Sequence, residues 1–571
     1  MEAGSVSTAI ALIVGCCVGG GLIIYAAIAT YSRWTHRPSD CDYIAHLHGL
    51  KREDIEDESL EKAKWLCGVC RFANLKQNEY CMLCETKRGI LLDVFATTTP
   101  SPIESCVVQY DQLNSLQAGA VSRKLWTRSL DIAGLAFWKA NDVALGTQYV
   151  IESVYACDEM NLAINQLTDA SAGKTLLGEM LPLWWFKHLR ALSDLNFSLK
   201  YAWLLAHISS ISMKYAQLKV YRDKIFDESL YILLHMQPAQ LCTLTRVTML
   251  GESGVDAGGI QREWYTVLTA AVFDPAKGLF VLATDFAYAL NPTSATAYGP
   301  DHLLCYRAIG RLLGRAVLDG QVLPCRLALP LFKAILGTPL SLQDVRYLDT
   351  QTYSSLQYLL EHDVSELGLD FSAAMPATLE VVDLVPNGRQ IAVTNDNKAS
   401  YVDCMVRHLL FDRVAAQLTS LLKGVYEVLP QELLMPFDYK ELELVLCGVA
   451  EVDVADWKAS TSVSTTLRRS ESLNWFWDVL EHDMSRDDRS KLLQFTTGSS
   501  RVPVQGFRGL TSYDGTLCPF SLQAVAYSVG VLPKAHSCFN RLDLPLYPTR
   551  ALMHEALFAL VEIENLEFTI V

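Results

Sequence analysis

The chain has 571 residues, 50% of them hydrophobic, with 48 basic and 63 acidic side chains and a net charge of −15. Such a length allows several domains with sizeable cores. The acidic balance argues against a protein that follows nucleic-acid phosphates, because a negative surface repels them. The 16 cysteines are sparse and only one group has metal-ligand spacing, so the composition favours a reducing compartment over a disulfide framework.

The first predicted element is a transmembrane helix over residues 6–31, a stretch without a charged side chain. It exceeds the roughly 20 apolar residues that cross a bilayer. A cleaved secretory signal is the alternative, although no basic residue precedes the apolar run. Basic residues follow it, so the positive-inside rule predicts a single-pass protein with a lumenal or extracellular N-terminus and a cytosolic remainder. Residues 32–62 are then a juxtamembrane linker.

A small metal-binding module is predicted over residues 63–90. Two CxxC pairs separated by ten residues supply four thiols, those of Cys67, Cys70, Cys81 and Cys84. Four thiolates suit a closed tetrahedral Zn²⁺ site. A closed site has no open position for a catalytic water, so one structural zinc ion would serve folding.

With Trp65 and Asn74 beside the cysteines, the module resembles the Ran-binding-protein-type zinc finger, also called NZF. Some members bind ubiquitin through a Thr-Phe pair and a later apolar residue, and the resemblance places these contacts at Phe72 and Leu83. Arg71 stands at the threonine position. Other members bind single-stranded RNA with arginines and a stacked tryptophan. The resemblance favours ubiquitin or protein binding over RNA.

Residues 91–195 give no functional signal. A Thr/Ser/Pro stretch at 97–101 is typical of a linker. The apolar residues that follow at helix-like intervals predict a helical segment that docks on the next domain. Charges at Lys187 and Arg190 argue against a second membrane span in the apolar cluster before them.

From about residue 196 onwards, ordered motifs are dense. Closely spaced glycines at 251–259 predict a tight loop with positive φ, followed by a helix at Arg262 and Glu263. Later motifs include Asn291-Pro292-x-Ser294, Ile309-Gly310-Arg311, Leu336-Gly337-x-Pro339, Val393-Thr394-Asn395 and Glu441-Leu442-Glu443-Leu444. Together they resemble the N-terminal lobe of HECT ubiquitin ligases. The resemblance implies an α+β fold with a mainly helical N-lobe at 196–458 and docking of a ubiquitin-conjugating enzyme near 395–440.

The remaining chain resembles the second half of the same catalytic domain. Residues 459–472 are rich in serine and threonine with few apolar anchors, which is typical of a hinge. The resemblance implies an α/β C-lobe over 473–571, including Trp475-Phe476-Trp477 and Gln494-Phe495.

Near the end lies His536-Ser537-Cys538-Phe539-Asn540, with Asp543 five residues after the thiol. A thiolate is a strong nucleophile, and its thioester stays reactive towards amines. The segment resembles the active-site loop of HECT ubiquitin ligases, which implies that Cys538 accepts ubiquitin and passes it to a substrate lysine.

The roles of three neighbours are open. His536 either lowers the thiol pKa or orients the loop, or it only bonds the backbone. Asp543 either deprotonates the incoming lysine or satisfies backbone amides or Arg541. Phe568 matches a terminal aromatic that helps the family's transfer to lysine, or it is ordinary packing.

Three functions remain to be separated. The favoured one is an active ubiquitin ligase at a membrane, because Cys538 and its neighbours are intact. The second is a catalytically inactive, ubiquitin-binding membrane adaptor. The third is an RNA-binding membrane protein, which the acidic balance and the single finger disfavour. The partners expected are a ubiquitin-conjugating enzyme, ubiquitin and protein substrates, without nucleic acid.

Overall fold

The structure is a computed structural model, and it describes most of the chain after residue 63. The described residues are 64–76, 78–96, 107–130, 136–142, 146–156, 159–167, 192, 195–211, 215–252, 259–374, 381–511 and 517–562. All of them belong to one compact unit, residues 62–571.

The region before the first lobe contains short paired strands and little helix. Its elements are β1 (Lys64–Leu66), β2 (Ala73–Leu75), β3 (Leu91–Leu92), α1 (Asp93–Ala96), β4 (Val107–Val108), α2 (Ser115–Ser122), β5 (Trp126–Leu130), β6 (Ala136–Ala140), β7 (Tyr149–Ala156) and β8 (Glu159–Gln166). β1 pairs with β2, β5 with β6 and β7 with β8, all antiparallel.

These hairpins differ from the helical segment predicted over 91–195. In β8 the buried Leu162 and Ile164 alternate with more exposed neighbours, and Ile164 lies opposite the buried Ile151 of β7. The backbones of Tyr149 and Leu340 exchange two hydrogen bonds of 2.8 Å, which attaches the hairpin to the first lobe. This alternation, with a period of two residues, is hard to recognise in the sequence because apolar residues recur at helical spacing elsewhere in the segment.

The N-lobe is mainly helical. Its elements are α3 (Phe197–Ile211), β9 (Tyr215–Val220), α4 (Ile225–His235), α5 (Pro238–Leu241), β10 (Leu244–Met249), α6 (Gly259–Val272), β11 (Phe280–Leu282), β12 (Tyr288–Leu290), α7 (Ser294–Ala297), α8 (His302–Leu318), α9 (Leu329–Leu336), α10 (Leu342–Val345), α11 (Thr350–Glu361), β13 (Ser372–Ala374), β14 (Val381–Asp383), α12 (Lys398–Leu410), α13 (Ala415–Val428), α14 (Gln431–Leu434) and α15 (Tyr439–Cys447).

The N-lobe core is organised by the contact between α8 and α13. A Cβ on Gly310 would lie 2.0 Å from the Leu421 carbonyl oxygen, and one on Gly424 would lie 2.1 Å from that of Arg307. The two helices therefore approach closely because glycine stands at both crossing positions. Arg315 of α8 is fully buried, and its guanidinium donates to the carbonyls of Gln240, Leu241 and Thr243, which satisfies the buried charge.

The C-lobe has a four-stranded sheet flanked by helices. Its elements are α16 (Val454–Ala459), β15 (Ser462–Val463), α17 (Thr465–Arg468), α18 (Glu471–Asp478), α19 (Arg486–Thr497), β16 (Ser521–Val525), β17 (Lys534–His536), β18 (Arg541–Pro545) and α20 (Arg550–Glu562). The strand order is β15-β16-β18-β17, with β17 antiparallel to β18 and the other pairs parallel. The mixed helix and strand content agrees with the predicted α+β class.

The structure places the predicted hinge residues, 459–472, inside the C-lobe. They include β15, which pairs with β16, and Trp457 just before them is buried and stacks on Phe507 with ring centroids 4.8 Å apart. The two lobes are instead joined by residues 448–453, between α15 and α16. Serine and threonine in 459–472 were taken as a sign of flexibility, but here their backbones complete a sheet edge.

The predicted membrane location is wrong on the evidence of the described residues. None of their helices is long and apolar enough to cross a membrane. The longest, α8, has 17 residues and contains three arginines, whereas a span needs about 20 mostly apolar residues. The predicted span at 6–31 and the linker at 32–62 lie outside the described residues.

Candidate active site and metal centre

Cys538 lies at the tip of a β-hairpin. β17 ends at His536, residues Ser537–Phe539 form one 3₁₀ turn, and β18 begins at Arg541. The chain reverses at Asn540, whose φ of 47° and ψ of 42° are left-handed, a conformation that asparagine tolerates better than most residues. The Cys538 side chain is half-buried, so its thiol is both held in place and open to a reaction partner.

Asn540 is the anchor of this loop. Its buried amide donates to the carbonyls of Thr511 at 3.1 Å and Cys518 at 2.8 Å. Its amide oxygen accepts a hydrogen bond of 2.8 Å from Arg262, a residue of α6 in the N-lobe. Every side-chain bond of Asn540 therefore holds the turn against a neighbouring segment.

Arg262 joins the two lobes at the reactive loop. Besides Asn540, its guanidinium donates to the Thr497 carbonyl at 2.7 Å and the Thr511 carbonyl at 2.7 Å. Burial lowers the pKa of Arg262, and the nearby thiols of Cys538 and Cys518 act in the opposite direction. The sequence motif contained Arg262 but gave it no role, because its partners lie more than 200 residues away.

His536, Asp543 and Arg541 form a charged cluster across the hairpin. The Asp543 carboxylate lies 2.9 Å from Nε2 of His536 and accepts from Nε of Arg541 at 2.8 Å. Burial favours the neutral carboxyl group, but the hydrogen bonds from Arg541 and His536 outweigh it and lower the pKa of Asp543. The structure thus brings the predicted His536 and Asp543 together with Arg541, across the hairpin that carries Cys538.

The four cysteines of the predicted metal site also come together. All four are buried, and their sulfur atoms lie within 4.8 Å of one another. The Sγ atoms of Cys67 and Cys84 are 3.6 Å apart, as are those of Cys70 and Cys81. Thiolates on a tetrahedral Zn²⁺ lie about 3.8 Å apart. The cluster therefore has the donor set, the spacing and the burial of a closed zinc site.

A family model described as HECT-domain (ubiquitin-transferase) matches residues 266–570, more than half of the chain. The protein belongs to the HECT family. The curated E3 ubiquitin-protein ligase Smurf1 of Drosophila melanogaster is 37% identical over 354 residues, 61% of this chain and 33% of the relative. Ligase pub3 of Schizosaccharomyces pombe is 38% identical over 347 residues, 60% of this chain and 44% of the relative.

A third relative, an E3 ubiquitin-protein ligase TOM1-like of Neurospora crassa, is 36% identical over 335 residues, or 58% of this chain and 8% of the relative. The chain thus spans less than half the length of each of these relatives. What they share is the catalytic HECT domain.

In this HECT protein the cysteine module is packed on the N-lobe. Phe72 is 5% exposed and its ring lies 5.8 Å from that of Phe197, while Leu83 is 4% exposed. Arg123 lies over the Phe72 ring and bonds Asp438 at 2.7 Å. Neither predicted ubiquitin contact is therefore presented to solvent in this arrangement.

Two further predicted features of the HECT region are only partly visible. Within the predicted docking region, 395–440, most of α13 is buried against α8, and most of the exposed side chains lie at 395–412. Phe568 lies outside the described residues, which end at residue 562.

The other described thiols are less suited to nucleophilic attack. Burial raises the pKa of Cys242, Cys305 and Cys404, which keeps these thiols protonated near neutral pH. Cys518 lies beside the hairpin, and its Sγ donates to the Phe539 carbonyl at 3.2 Å. It offers a matched comparison for Cys538.

Proposed function

We propose that this chain is a HECT-type ubiquitin ligase in which Cys538 carries ubiquitin as a thioester. The observation that supports it most directly is the half-exposed thiol at the tip of a hairpin whose turn is fixed by Asn540. A fixed backbone and an accessible thiol are what a covalent carrier needs, since transfer between thiols depends mainly on position.

In the first step, the Cys538 thiolate attacks the carbonyl carbon of the thioester between ubiquitin and a conjugating enzyme. A new C–S bond forms, the old one breaks, and the enzyme's cysteine leaves as a thiolate. No net oxidation occurs, and the two thioesters are of similar energy. The protein contributes chiefly by holding the thiol where the attack can occur.

In the second step, a substrate lysine amine attacks the thioester on Cys538. A C–N bond forms, the Cys538 thiolate leaves and the amine loses a proton. Asp543 is already bonded to Arg541 and His536, and its pKa is lowered. A carboxylate with a low pKa is a weak base at neutral pH. We therefore assign Asp543 to orienting His536 and the hairpin, and the lysine proton to solvent or His536.

The cysteine module is proposed to be an NZF-type finger with one zinc ion held by Cys67, Cys70, Cys81 and Cys84. The four cysteines would bind the ion as thiolates, and the ion would tie the two CxxC turns together within one buried cluster. Ubiquitin binding through Phe72 and Leu83 would require the module to leave the N-lobe, because both are buried against it.

The conjugating enzyme is proposed to dock on the more exposed part of the predicted region, residues 395–412, which includes α12. Protein substrates are expected but are not specified by any contact in the site. The docking surface and Cys538 lie on different lobes, so loading requires a relative movement of the lobes, for which the connector at 448–453 is the natural pivot.

The test uses the full chain with activating enzyme, a panel of conjugating enzymes, ATP and ubiquitin. We expect a ubiquitin adduct on a non-reducing gel that disappears with a thiol reductant. Cys538→Ala should abolish it, and Cys518→Ser should retain it. An adduct that survives Cys538→Ala would refute Cys538 as the carrier. The absence of any adduct with the native chain would favour the inactive, ubiquitin-binding adaptor.

A further inference from the structure

The cysteine module contacts both lobes beside the connector that joins them. Its residue Glu85 accepts hydrogen bonds or ion pairs from Arg486 in the C-lobe, with N–O distances of 2.8 and 2.9 Å. The same carboxylate lies 3.6 Å from Arg326 in the N-lobe. One side chain of the module therefore bridges the two halves of the catalytic domain.

A second contact reaches the end of the connector. The backbone N–H of Glu79 donates to Asp453 at 2.7 Å. Asp453 also caps α16, because its other carboxylate oxygen accepts from the N–H groups of Ala455 and Asp456. The module thus fixes the first helix of the C-lobe where that helix leaves the connector.

The connector is itself held between the lobes. Val449 and Val502 exchange two backbone hydrogen bonds, of 3.0 and 3.2 Å. Glu451 pairs with Arg486 at 3.0 Å, so Arg486 receives one carboxylate from the connector and one from the module. A small cavity is lined by Leu83 and Glu85 of the module, Gly448 and Ala450 of the connector, and Arg501 of the C-lobe.

The orientation set by these contacts places the reactive loop against α6. Arg262 of α6 bonds Asn540, two residues after Cys538, and Thr266 of α6 donates to the Gly498 carbonyl at 3.0 Å. α6 packs on α4 and β10, whereas the proposed docking helix α12 packs on α10 and α11. Loading of Cys538 therefore requires the C-lobe to leave this orientation.

We propose that Glu85 is a positioning residue for ubiquitin transfer: through Arg486 it holds the C-lobe in the orientation that packs the Cys538 loop on α6. The predicted effect on the rate of thioester formation rests on the proposed ligase function, whereas the predicted effect on the orientation of the C-lobe does not. The module then restrains the C-lobe and sets the fraction of molecules in which that lobe is free to receive ubiquitin.

The test compares Glu85→Gln with Glu79→Gln in the full chain. Both variants remove one negative charge from the same module, but the Glu79 side chain is exposed and its backbone N–H is what bonds Asp453 at the end of the connector. Zinc content measured beforehand shows that each module is intact. We expect Glu85→Gln to raise amide hydrogen exchange at 448–453 and at Val502 by about threefold, as for loss of one exposed ion pair, and Glu79→Gln to leave it unchanged.

A double-mutant cycle with Arg486→Gln removes the contribution of Glu451, which Arg486 also contacts. We expect the Glu85→Gln effect to vanish in the Arg486→Gln background. Thioester formation on Cys538 should be about threefold faster in Glu85→Gln, because release of the C-lobe is then less costly.

Three results would overturn the proposal. Equal amide hydrogen exchange in Glu85→Gln and Glu79→Gln would show that the Glu85 contact does not restrain the C-lobe. Additive effects in the double-mutant cycle would show that Glu85 does not act through Arg486. If Glu85→Gln raises hydrogen exchange but leaves the rate of thioester formation on Cys538 unchanged, the Glu85–Arg486 contact has only a structural role. If the native chain forms no thioester while exchange responds as expected, the ligase function fails and the lobe contact stands.

Discussion

The cysteine module and the Cys538 hairpin place the same kind of side chain in opposite surroundings. In the module four thiols are buried and face one another, with two Sγ pairs at 3.6 Å. In the hairpin one half-exposed thiol stands at the turn, and an imidazole, a carboxylate and a guanidinium bond one another on the flanking strands. Enclosure by other thiols makes a cysteine a metal ligand, whereas exposure beside charged groups leaves it available for attack.

The two regions share a backbone device. Arg71 and Glu85 each follow the second cysteine of a CxxC pair with φ of 58° and 57°, and Asn540 has φ of 47°. Their turns are held by local hydrogen bonds, such as that from the Glu85 N–H to the Cys81 carbonyl at 2.8 Å. A left-handed residue lets each turn close tightly, and in the module it also directs Glu85 towards Arg486.

The largest expected effect comes from removing one ligand of the module. Cys81→Ser should abolish stoichiometric zinc binding and lower the thermal stability of the module, because structural zinc supplies folding free energy of the order of 10 kcal/mol in isolated fingers. Metal analysis and thermal unfolding with and without chelator measure it. Cys404→Ser, at a half-buried thiol outside the cluster, serves as control. Full zinc occupancy in Cys81→Ser would contradict a four-thiolate site.

The second effect concerns the support beneath the module. Asp438 pairs with Arg123, which covers Phe72 and reaches the Cys70 carbonyl. Asp438→Asn keeps the helix cap but removes the nearest carboxylate from Arg123 and Lys124, which leaves them only Glu441, at 3.9 Å, among the described residues. Because a buried ion pair is broken, we expect a loss of about 3 kcal/mol in the free energy of unfolding. Asp349→Asn changes an exposed helix cap and should cost about 1 kcal/mol or less. Denaturant unfolding compares them.

The same carboxylate predicts a dependence on pH. Burial opposes ionisation of Asp438, but the charges of Arg123, Lys124 and Lys200 outweigh it and hold its pKa well below the usual 3.8. A depressed folded pKa contributes stability above about pH 4 and loses it as the pH falls towards the folded pKa. As the pH falls below 5, Asp438→Asn should therefore lose less unfolding free energy than the native chain does. If Asp438→Asn loses stability at low pH as steeply as the native chain, a group other than Asp438 causes that loss.

The smallest effect sharpens the role of the catalytic cluster. Asp543→Asn should slow discharge of ubiquitin to lysine by about tenfold through loss of orientation, with the pH–rate profile keeping its shape above pH 5. The control is Asp478→Asn, which disrupts a similar Asp–Arg–His group with Arg550 and His482 on the surface of the same lobe. If the pH–rate profile for discharge to lysine loses its pH-dependent part above pH 5 in Asp543→Asn, Asp543 is instead the general base.

Local features of the site were predictable. The CxxC spacing predicted four cysteines that the fold brings together. The order of His536, Cys538 and Asp543 placed them in one short segment that folds as a hairpin, because short turns fix near neighbours. The hairpins β5–β8 and the connector at 448–453 were not predicted. The hairpins pair neighbouring segments, but apolar residues at helical spacing predict a helix there. The lobe boundary depends on partners far along the chain, which no local composition shows.

By itself, the sequence determined the family, and it predicted Cys538 as the ubiquitin carrier and four cysteines as zinc ligands, since each depends on residue type and short spacing. Only the tertiary structure decided that Phe72 and Leu83 are covered, that Arg262 bonds the turn after Cys538, and that Glu85 joins both lobes. These contacts join residues hundreds of positions apart, and packing of the hydrophobic core, not local chemistry, brings them within bonding distance.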